Sequence, residues 1–335
     1  PTMFSSATNY DQLRLDSSDR IIFAVYTNNG ATNVGTFTTK QKFRDTTNWY
    51  HVVAVWDTTN PTSEDRQRLY INGKRILSAD LTITTTPSSS AVSNFNNEQM
   101  TIGRRESTDN IYWDGYMAEV NFLDGTAVTH TQDSNGDYIL DEFGQVKNGV
   151  WIPKSLSSLT YGTNGYRLTF ADSSSLGDDT SGNGNDFTSS GLASTDVCTD
   201  SPTNNFPTLN SIGNDSGVTF SEGNLKGSVG YGASNICEGT FAVSSGKWYW
   251  EVNVISITAV STPMIGIKDL SVLGHENDNS SNASVYAYYG STGNKYNSNN
   301  QGSYGATYTT GDIIGVALDL DCLLYTSPSP RDRRL

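Results

Sequence analysis

The sequence predicts an all-β protein made of two antiparallel β-sandwiches joined by a loop-rich connector. Apolar residues alternate with a period of two, turn-forming residues separate these runs, and no amphipathic helical pattern exceeds two turns. The chain of 335 residues is longer than one typical domain, which indicates two separate cores.

The stretch "NWYHVVAVWD", residues 48–57, predicts an interior strand. One face carries Trp49, His51, Val53 and Val55, and the other carries Tyr50, Val52, Ala54 and Trp56. Since both faces are apolar, we expect this strand to be buried on two sides.

Two further elements follow in the first half. In "RLYINGKRI" the pair Asn72-Gly73 predicts a type I′ hairpin turn, because both residues tolerate a positive φ. The stretch "DGYMAEVNFLDG", residues 114–125, alternates between apolar and polar positions and predicts a strand with one wet face. We expect Glu119 on that wet face.

The second half has strands of its own. "GKWYWEVNV" at 246–254 and "GDIIGVALDLD" at 311–321 alternate, and "PMIGIKD" at 263–269 lies between them. The inward residues are expected to be Trp248, Trp250, Val252 and Val254 in the first run and Ile314, Val316, Leu318 and Leu320 in the second. No Asn-Gly hairpin follows the tryptophan strand, so the two tryptophan strands are interpreted as analogous central strands of different sandwiches.

Two sets of motifs resemble known families. "WYHVVAVWD", "LYINGK", "TIGR" and "DGYMAEV" resemble successive strands of a laminin G-like, concanavalin A-like jelly roll over residues 1–128, with the family's earliest strands expected before Pro1. "GKWYWEV", "IGI" and "GDIIGVALD" resemble a SPRY domain, expected over 206–321 and truncated at its C-terminal end. The first resemblance implies a carbohydrate-binding sandwich that sometimes serves as a glycoside hydrolase, and the second implies loops presented to protein partners.

Residues 129–205 are rich in Ser, Gly, Asn and Asp and hold only two short strand candidates, "GVWIPK" and "GYRLTF", so we interpret them as an ordered connector. The order of these segments, with "SGNGNDF" and "DSPTNNF" before the second sandwich, resembles tail-fibre or other structural proteins of marine bacteriophages. That resemblance implies a place in the virion or outside the cell.

The last residues differ from the rest of the chain. "CLLYTSPSPRD", 322–332, resembles a translated sequencing adapter, so residues 322–335 are expected to be an artefact. The alternative is a natural tail rich in Pro and Arg, in which Cys322 would be a third thiol.

Charge and length exclude several functions. With 35 acidic and 21 basic residues, the formal net charge is -14, which disfavours binding to nucleic acid and to anionic membranes. The longest apolar runs have strand length, so no membrane insertion is expected.

Enzymatic activity is not expected. Glycoside hydrolases of this jelly-roll type need several carboxylates on alternate residues of one strand, whereas Glu119 and Glu251 are single and are interpreted as parts of solvated faces. His51, His130 and His275 have no nucleophile pattern beside them, and His51 is expected to be a hydrogen-bonded core or sheet residue.

Calcium is the one cofactor considered. Asp133, Asn135 and Asp137 are spaced like calcium ligands, but the glycine is one position early and Gly144 stands where a closing Glu would be, which excludes a helix-loop-helix site. The alternatives are a simpler oxygen cage and an Asx-rich turn.

The stretch 286–308, "YAYYGSTGNKYNSNNQGSYGATY", predicts a ligand-binding loop, because it combines Tyr with Ser, Gly and Asn. Tyr296 and Tyr304 are the first candidates. Tyr286 and Tyr288 are also candidates, with the alternative that they cover a strand face, and the whole stretch has the alternative of a solvated loop.

Cys198 and Cys237 either pair or remain free buried thiols, and the scarcity of cysteine favours free thiols.

Taken together, these observations predict a non-enzymatic recognition protein of a virion appendage that binds carbohydrate or a protein on the host surface and contacts other virion subunits. The alternatives are a purely structural virion component and, less favoured, a secreted glycoside hydrolase.

Overall fold

The computed structural model describes residues 1–6, 11–28, 30–45, 48–96, 98–105, 111–147, 150–156, 159–210, 217–229, 237–257, 263–269 and 284–321. Two compact units make up the chain, Pro1–Asn205 and Phe206–Leu335. The predicted all-β class is confirmed, because the only helices in the described ranges are single 3₁₀ turns, at Ser63–Asp65, Ser78–Asp80, Asn94–Asn96 and Ser194–Asp196. His275 and the predicted adapter segment lie outside the described residues.

The first unit is built from antiparallel sheets. Its strands are β1 (Thr2–Ser6), β2 (Gln12–Leu15), β3 (Ile21–Thr27), β4 (Thr32–Thr39), β5 (Val52–Trp56), β6 (Gln67–Ile71), β7 (Lys74–Arg75), β8 (Leu81–Thr85), β9 (Met100–Ile102), β10 (Arg104–Arg105), β11 (Ile111–Tyr112), β12 (Val120–Phe122), β13 (Thr131–Gln132), β14 (Tyr138–Ile139), β15 (Gly144–Lys147), β16 (Val150–Pro153) and β17 (Tyr166–Leu168). The two large sheets have the orders β8-β4-β3-β2-β1-β9 and β13-β14-β7-β6-β5, and the pairs β10-β11, β12-β17 and β15-β16 complete the unit.

The core of the first sandwich lies between the two large sheets. Phe23 and Val25 of β3 and Phe37 of β4 pack against Leu69 and Ile71 of β6, and all five are buried. These residues point inward because side chains alternate along each strand, so one face of each sheet supplies the core.

The strand predicted at 48–57 is β5. Its burial on both faces is confirmed, but its interior position in the sheet is not. Val52, Ala54 and Trp56 pack into the core between the sheets, whereas Val53 and Val55 face a second apolar cluster with Leu140 and Phe143. β5 is nevertheless the last strand of its sheet among the described residues, since it pairs with β6 alone. An apolar pattern shows that a face is buried but not which strands are neighbours, so the position of β5 at the end of its sheet was not predictable from the pattern.

Residues 129–205 belong to the first unit and do not form a separate connector. β14 pairs with β7 and β17 pairs with β12, so this segment adds strands to the fold. It also supplies the cover for the second apolar face of β5 and β6, through Leu140, Phe143 and Trp151. The physical reason is that a two-sheet sandwich would leave Val53 and Val55 of β5 and Tyr70 of β6 facing water.

The Asn72-Gly73 turn is confirmed. The φ angles of Asn72 and Gly73 are 50° and 76°, and Ile71 pairs directly with Lys74 across the two-residue loop. The Asn72 side-chain oxygen also accepts a hydrogen bond from the His51 backbone N–H at 2.8 Å, which joins the turn to the residue just before β5.

The long strand predicted over 114–125 is wrong in extent. Only Val120–Phe122 forms a strand, and Glu119 has a φ of 51°, which ends the extended backbone before it. The Glu119 carboxylate forms a two-contact ion pair with the Arg167 guanidinium on β17, with distances of 2.8 and 3.0 Å. The wet face is therefore used to hold β12 to β17.

A polar turn at 178–187 closes on β17. The Asp179 carboxylate accepts hydrogen bonds from the backbone N–H groups of Arg167, Ser181 and Asn185. The side-chain amides of Asn183 and Asn185 both donate to the carbonyl of Gly165, at 2.8 and 2.9 Å. We call this arrangement, of Asp179, Asn183 and Asn185, the amide knot, and it satisfies backbone groups that no strand reaches.

The second unit is a smaller sandwich. Its strands are β18 (Val218–Ser221), β19 (Lys226–Val229), β20 (Lys247–Asn253), β21 (Met264–Lys268), β22 (Val285–Tyr289), β23 (Asn294–Asn297), β24 (Asn299–Ser303) and β25 (Ile313–Asp319). They form the sheets β18-β19, β20-β25 and β21-β22-β23-β24, all antiparallel.

The core of the second unit joins the β20-β25 ladder to the four-stranded sheet. Val254, Ile314, Tyr288 and Tyr308 are buried together. Of the inward residues predicted for 311–321, Ile314 and Leu318 are buried and Val316 and Leu320 are half-buried, while Ile313 and Ala317 on the other face are exposed. In β20 burial rises along the inward side from Trp248, which is 41% exposed, to the buried Val254 that follows the strand.

Candidate functional site

The stretch 286–308 is a sheet surface and not the predicted loop. It contains most of β22 together with β23 and β24, and Tyr296 lies in the middle of β23, paired with Ala287. The many Asn and Gly residues suggested a loop, but they sit in short strands and in the tight turns between them.

Two of the four candidate tyrosines hold this sheet on its core. Tyr288 is buried, its ring contacts those of Tyr304 and Tyr308 at centroid distances of 5.3 and 5.2 Å, and its hydroxyl donates to the carbonyl of Ala306. Burial raises the pKa of the hydroxyls of Tyr288 and Tyr304 above the ordinary value. The Tyr288 ring is thus enclosed and Tyr304 is half-buried against the core, so both side chains stabilise the core of the second unit.

Tyr296 and Tyr286 lie on opposite faces of the same sheet. Tyr296 shares its face with Ala287 and Tyr289, and its ring meets the Tyr289 ring edge-on at 5.8 Å. Tyr286 is 42% exposed and alternates onto the other face, with Tyr288. The structure therefore brings Tyr288 and Tyr304 together but keeps Tyr296 apart from Tyr286.

One side-chain amide lies beside Tyr296. β24 is exposed along its whole length, and its Asn300 lies directly opposite Tyr296, so the two side chains share a face. The Asn300 side-chain oxygen accepts a hydrogen bond from the Gly302 backbone N–H at 2.8 Å, which fixes its orientation. Asn299 pairs with Asn297 and alternates onto the other face, where the Gln301 amide donates to its side-chain oxygen at 2.7 Å. We call Tyr289, Tyr296 and Asn300 the tyrosine-amide surface.

The predicted calcium ligands form an Asx turn. The Asp133 side-chain oxygen accepts hydrogen bonds from the backbone N–H groups of Asn135 and Asp137, each at 2.9 Å. The Asp137 carboxylate pairs with the Lys74 ammonium at 2.6 Å. Of the two alternatives left open by the sequence, the geometry favours the turn, and within the described residues no group of three or more His, Cys, Asp and Glu side chains converges as a metal site.

The histidines described here are packed against aromatic rings. His51 stacks on Trp151 at 4.2 Å with an angle of 9° between the rings, and burial lowers its pKa to about 4. It is packed as predicted, but its Nδ1 is buried without a hydrogen-bond partner among the described residues. His130 Nδ1 lies 2.6 Å from the Tyr70 hydroxyl and its ring meets Tyr138 edge-on.

The two cysteines with described positions, Cys198 and Cys237, are half-buried and form no disulfide with each other, in agreement with the favoured alternative. Burial raises the pKa of the Cys237 thiol to about 11, so this sulfur stays protonated and is a poor nucleophile. Within the described residues, no helix has the length and apolar character needed to cross a membrane.

Sequence reasoning missed one surface, the outer face of the β20-β25 ladder. Tyr249 and Glu251 point outward there, as the alternation predicts, but nothing in the sequence indicated a contact between them. In the structure the Tyr249 hydroxyl donates to the Glu251 carboxylate at 2.7 Å. The only available signal was their spacing of two residues on one strand.

Comparison with known families agrees with this architecture. Residues 1–132 match the laminin G-like model of the concanavalin A-like lectin/glucanases superfamily, and residues 247–324 match the SPRY domain model. No curated protein shows significant similarity to the chain. The chain thus contains one segment that matches a laminin G-like domain and another that matches a SPRY domain, two kinds of β-sandwich that typically serve as binding modules.

Proposed function

We propose that this protein is a non-enzymatic recognition protein of a virion appendage that binds carbohydrate on the host surface. Support comes from the two matched domains, both of binding type, and from the tyrosine-amide surface of the second unit. The single observation that carries the proposal is the position of Tyr296, a half-buried ring braced by Tyr289 beside the exposed amide of Asn300.

This arrangement suits a sugar ring. An aromatic ring offers a flat apolar face for the C–H groups of a pyranose, and side-chain amides donate to and accept from its hydroxyl groups. Bracing of Tyr296 by Tyr289, and of the Asn300 amide by the Gly302 backbone N–H, reduces the ordering cost of binding. The net charge of -14 favours neutral over anionic glycans.

The location on a virion rests on the sequence. The order of a laminin G-like segment, the "GVWIPK" and "SGNGNDF" segments and a SPRY segment resembles structural proteins of marine bacteriophages. This resemblance supports an extracellular, virion-borne protein whose partners include other virion subunits as well as the host surface.

One observation favours the second candidate, a purely structural virion component. The β15-β16 hairpin exposes Val146 and Val150, which are 67% and 60% accessible. Exposed apolar pairs of this kind are typical of protein–protein contacts. In that case the sandwiches would pack against neighbouring subunits and bind no glycan.

A glycan array with the full chain tests the proposal. We expect binding to a restricted set of neutral glycans, lost in Tyr296→Ala and retained in Tyr112→Ala, a matched change of an exposed tyrosine in the first unit. Absence of binding by the folded wild-type chain, together with assembly into oligomers that Val146→Lys disrupts, would establish the structural alternative.

A further inference from the structure

The outer face of the β20-β25 ladder carries an ordered row of side chains. Across the two strands Lys247 pairs with Asp319, Tyr249 lies opposite Ala317, and Glu251 lies opposite Gly315. The other face of the same strands carries Ile314 and Leu318 into the core. The row therefore points away from the core, and it is a different surface from the one that contains Tyr296.

Gly315 determines how Tyr249 lies. A Cβ atom at Gly315 would stand 2.7 Å from the Tyr249 hydroxyl oxygen and 3.2 and 3.3 Å from Cε2 and Cζ of its ring. The ring thus lies against the backbone of β25 at the one position without a side chain. Gly315 is buried, whereas Tyr249 remains 60% exposed.

Glu251 fixes the ring and leaves an acceptor beside it. The Tyr249 hydroxyl donates to one carboxylate oxygen of Glu251 at 2.7 Å, and within the described part of the chain this is the one hydrogen bond of that carboxylate. A charge-assisted hydrogen bond of this kind holds the ring in one orientation. The second carboxylate oxygen accepts from any hydroxyl group placed over the ring.

We propose that Tyr249 and Glu251 form a binding site for a neutral pyranose sugar. The exposed ring face stacks on the C–H face of the sugar and the Glu251 carboxylate accepts hydrogen bonds from one or two of its hydroxyls. In its ligand class this site rests on the proposed function, but it uses none of the residues of the tyrosine-amide surface.

Local charge selects the neutral sugar. The Lys247 ammonium is paired with the Asp319 carboxylate, so Glu251 leaves the row with a net negative charge. Sialylated, uronic and sulfated sugars would bring a second anion next to Glu251, which is unfavourable in a partly desolvated contact. A neutral sugar needs only a hydrogen-bond acceptor and a flat apolar surface, which Glu251 and the Tyr249 ring provide.

Ligand-observed NMR with the full chain tests this site. The probes are methyl glucopyranosides, galactopyranosides and mannopyranosides, each at millimolar concentration. We expect saturation transfer to at least one of them, with affinity reduced about tenfold in Tyr249→Ala, which corresponds to about 1.4 kcal/mol. Methyl glucuronide should bind more weakly than the matching neutral probe, and Glu251→Gln should reduce that difference.

Gly315→Ala is the sharper variant, because it moves the ring without changing its chemistry. Its methyl group would meet the Tyr249 hydroxyl, so we expect the ring to leave the strand and sugar affinity to fall. Ala317→Ser on the same face is the matched control and should bind as the wild type does. Circular dichroism establishes that each variant is folded.

The outcomes separate this site from the proposed function. Saturation-transfer signals that persist unchanged in folded Tyr249→Ala and Gly315→Ala overturn the inference. If Tyr296→Ala removes those signals, the sugar binds at the tyrosine-amide surface and the proposed function is supported. Loss in Tyr249→Ala alone supports the second site even when the glycan array is blank. No saturation transfer to any probe, or a dimer that Tyr249→Ala dissociates, overturns the sugar site.

Discussion

At the scale of single residues, two ionisable groups enclosed in the first unit change the free energy of unfolding with pH in opposite directions. His51 is held neutral between Trp151 and Phe143, with its pKa lowered to about 4 by burial. Asp11 is buried, and burial raises its pKa to about 6 despite hydrogen bonds from the backbone N–H groups of Tyr26, Asn94 and Phe95. Folding therefore favours proton release from His51 and proton uptake by Asp11.

For His51 the folded pKa lies below the ordinary value of 6.5, so the unfolded state binds more protons between pH 6.5 and pH 4. The free energy of unfolding should fall as pH falls through this window. In His51→Phe, which keeps a ring on Trp151, this loss should disappear, and the variant should gain about 2 kcal/mol relative to wild type between pH 7 and pH 4.5. Urea unfolding at both pH values measures it; equal losses in both proteins would contradict the expectation.

For Asp11 the sign is reversed. Its folded pKa lies above the ordinary value of 3.8, so the folded state binds more protons between pH 3.8 and pH 6, and the free energy of unfolding falls as pH rises through this window. Asp11→Asn removes this dependence. Urea unfolding should show the deficit of the variant growing by about 2 kcal/mol from pH 7 to pH 4; a deficit that shrinks on acidification would show that the ionised carboxylate is the stabilising form.

At the scale of elements, the β6-β7 hairpin depends on Gly73 for two separate reasons. A Cβ atom there would meet the Leu140 carbonyl and the Trp151 indole nitrogen, each at 3.0 Å, and the φ of 76° is itself unfavourable for other residues. Gly136 has a φ of 81° but open space around it.

Gly136→Ala should therefore cost only the backbone strain, roughly 1–2 kcal/mol of unfolding free energy. Gly73→Ala should cost more, because Leu140 and Trp151 must also shift. Urea unfolding of both variants separates the two effects. Equal losses would mean that the contact with Leu140 and Trp151 relaxes without cost.

The Asp133 turn gives a prediction about calcium. Because Asp133 already accepts two backbone hydrogen bonds and Asp137 pairs with Lys74, we expect the same melting temperature in excess calcium and in chelator. Asp133→Ala should lower the melting temperature in both. A rise in melting temperature with added calcium, abolished by Asp133→Ala, would instead establish the oxygen cage.

The sequence predicted where strands and turns lie better than it predicted which strands pair with each other. The Asn72-Gly73 turn was predictable because its conformation depends on the two residues themselves. The start of β12 was not, because Glu119 takes a positive φ just before it and pairs with Arg167, which lies 48 residues away in the sequence. The tyrosine-amide surface was predicted as a loop for a similar reason, since composition gives no information on the pairing of Tyr296 with Ala287.

At the scale of the whole molecule, the first unit extends to Asn205 because residues 129–205 cover an apolar face that the two large sheets leave open. A fragment of residues 1–205 should unfold cooperatively. A fragment of residues 1–128 should aggregate or bind a hydrophobic dye, since it lacks Leu140, Phe143 and Trp151. Thermal unfolding by circular dichroism with a dye assay tests this; a cooperative 1–128 fragment would restore the interpretation of 129–205 as a connector.

The amide knot has a consequence for how this chain tolerates mutation. Asn183 is exposed and Asn185 is half-buried, so a burial criterion would class both as freely replaceable. Their side chains nevertheless take the place of a neighbouring strand for the carbonyls near Gly165. In a saturation mutagenesis screen for expression, these positions and Asp179 should accept as few replacements as the apolar interior does, and even Asp or Gln should fail at Asn183 and Asn185.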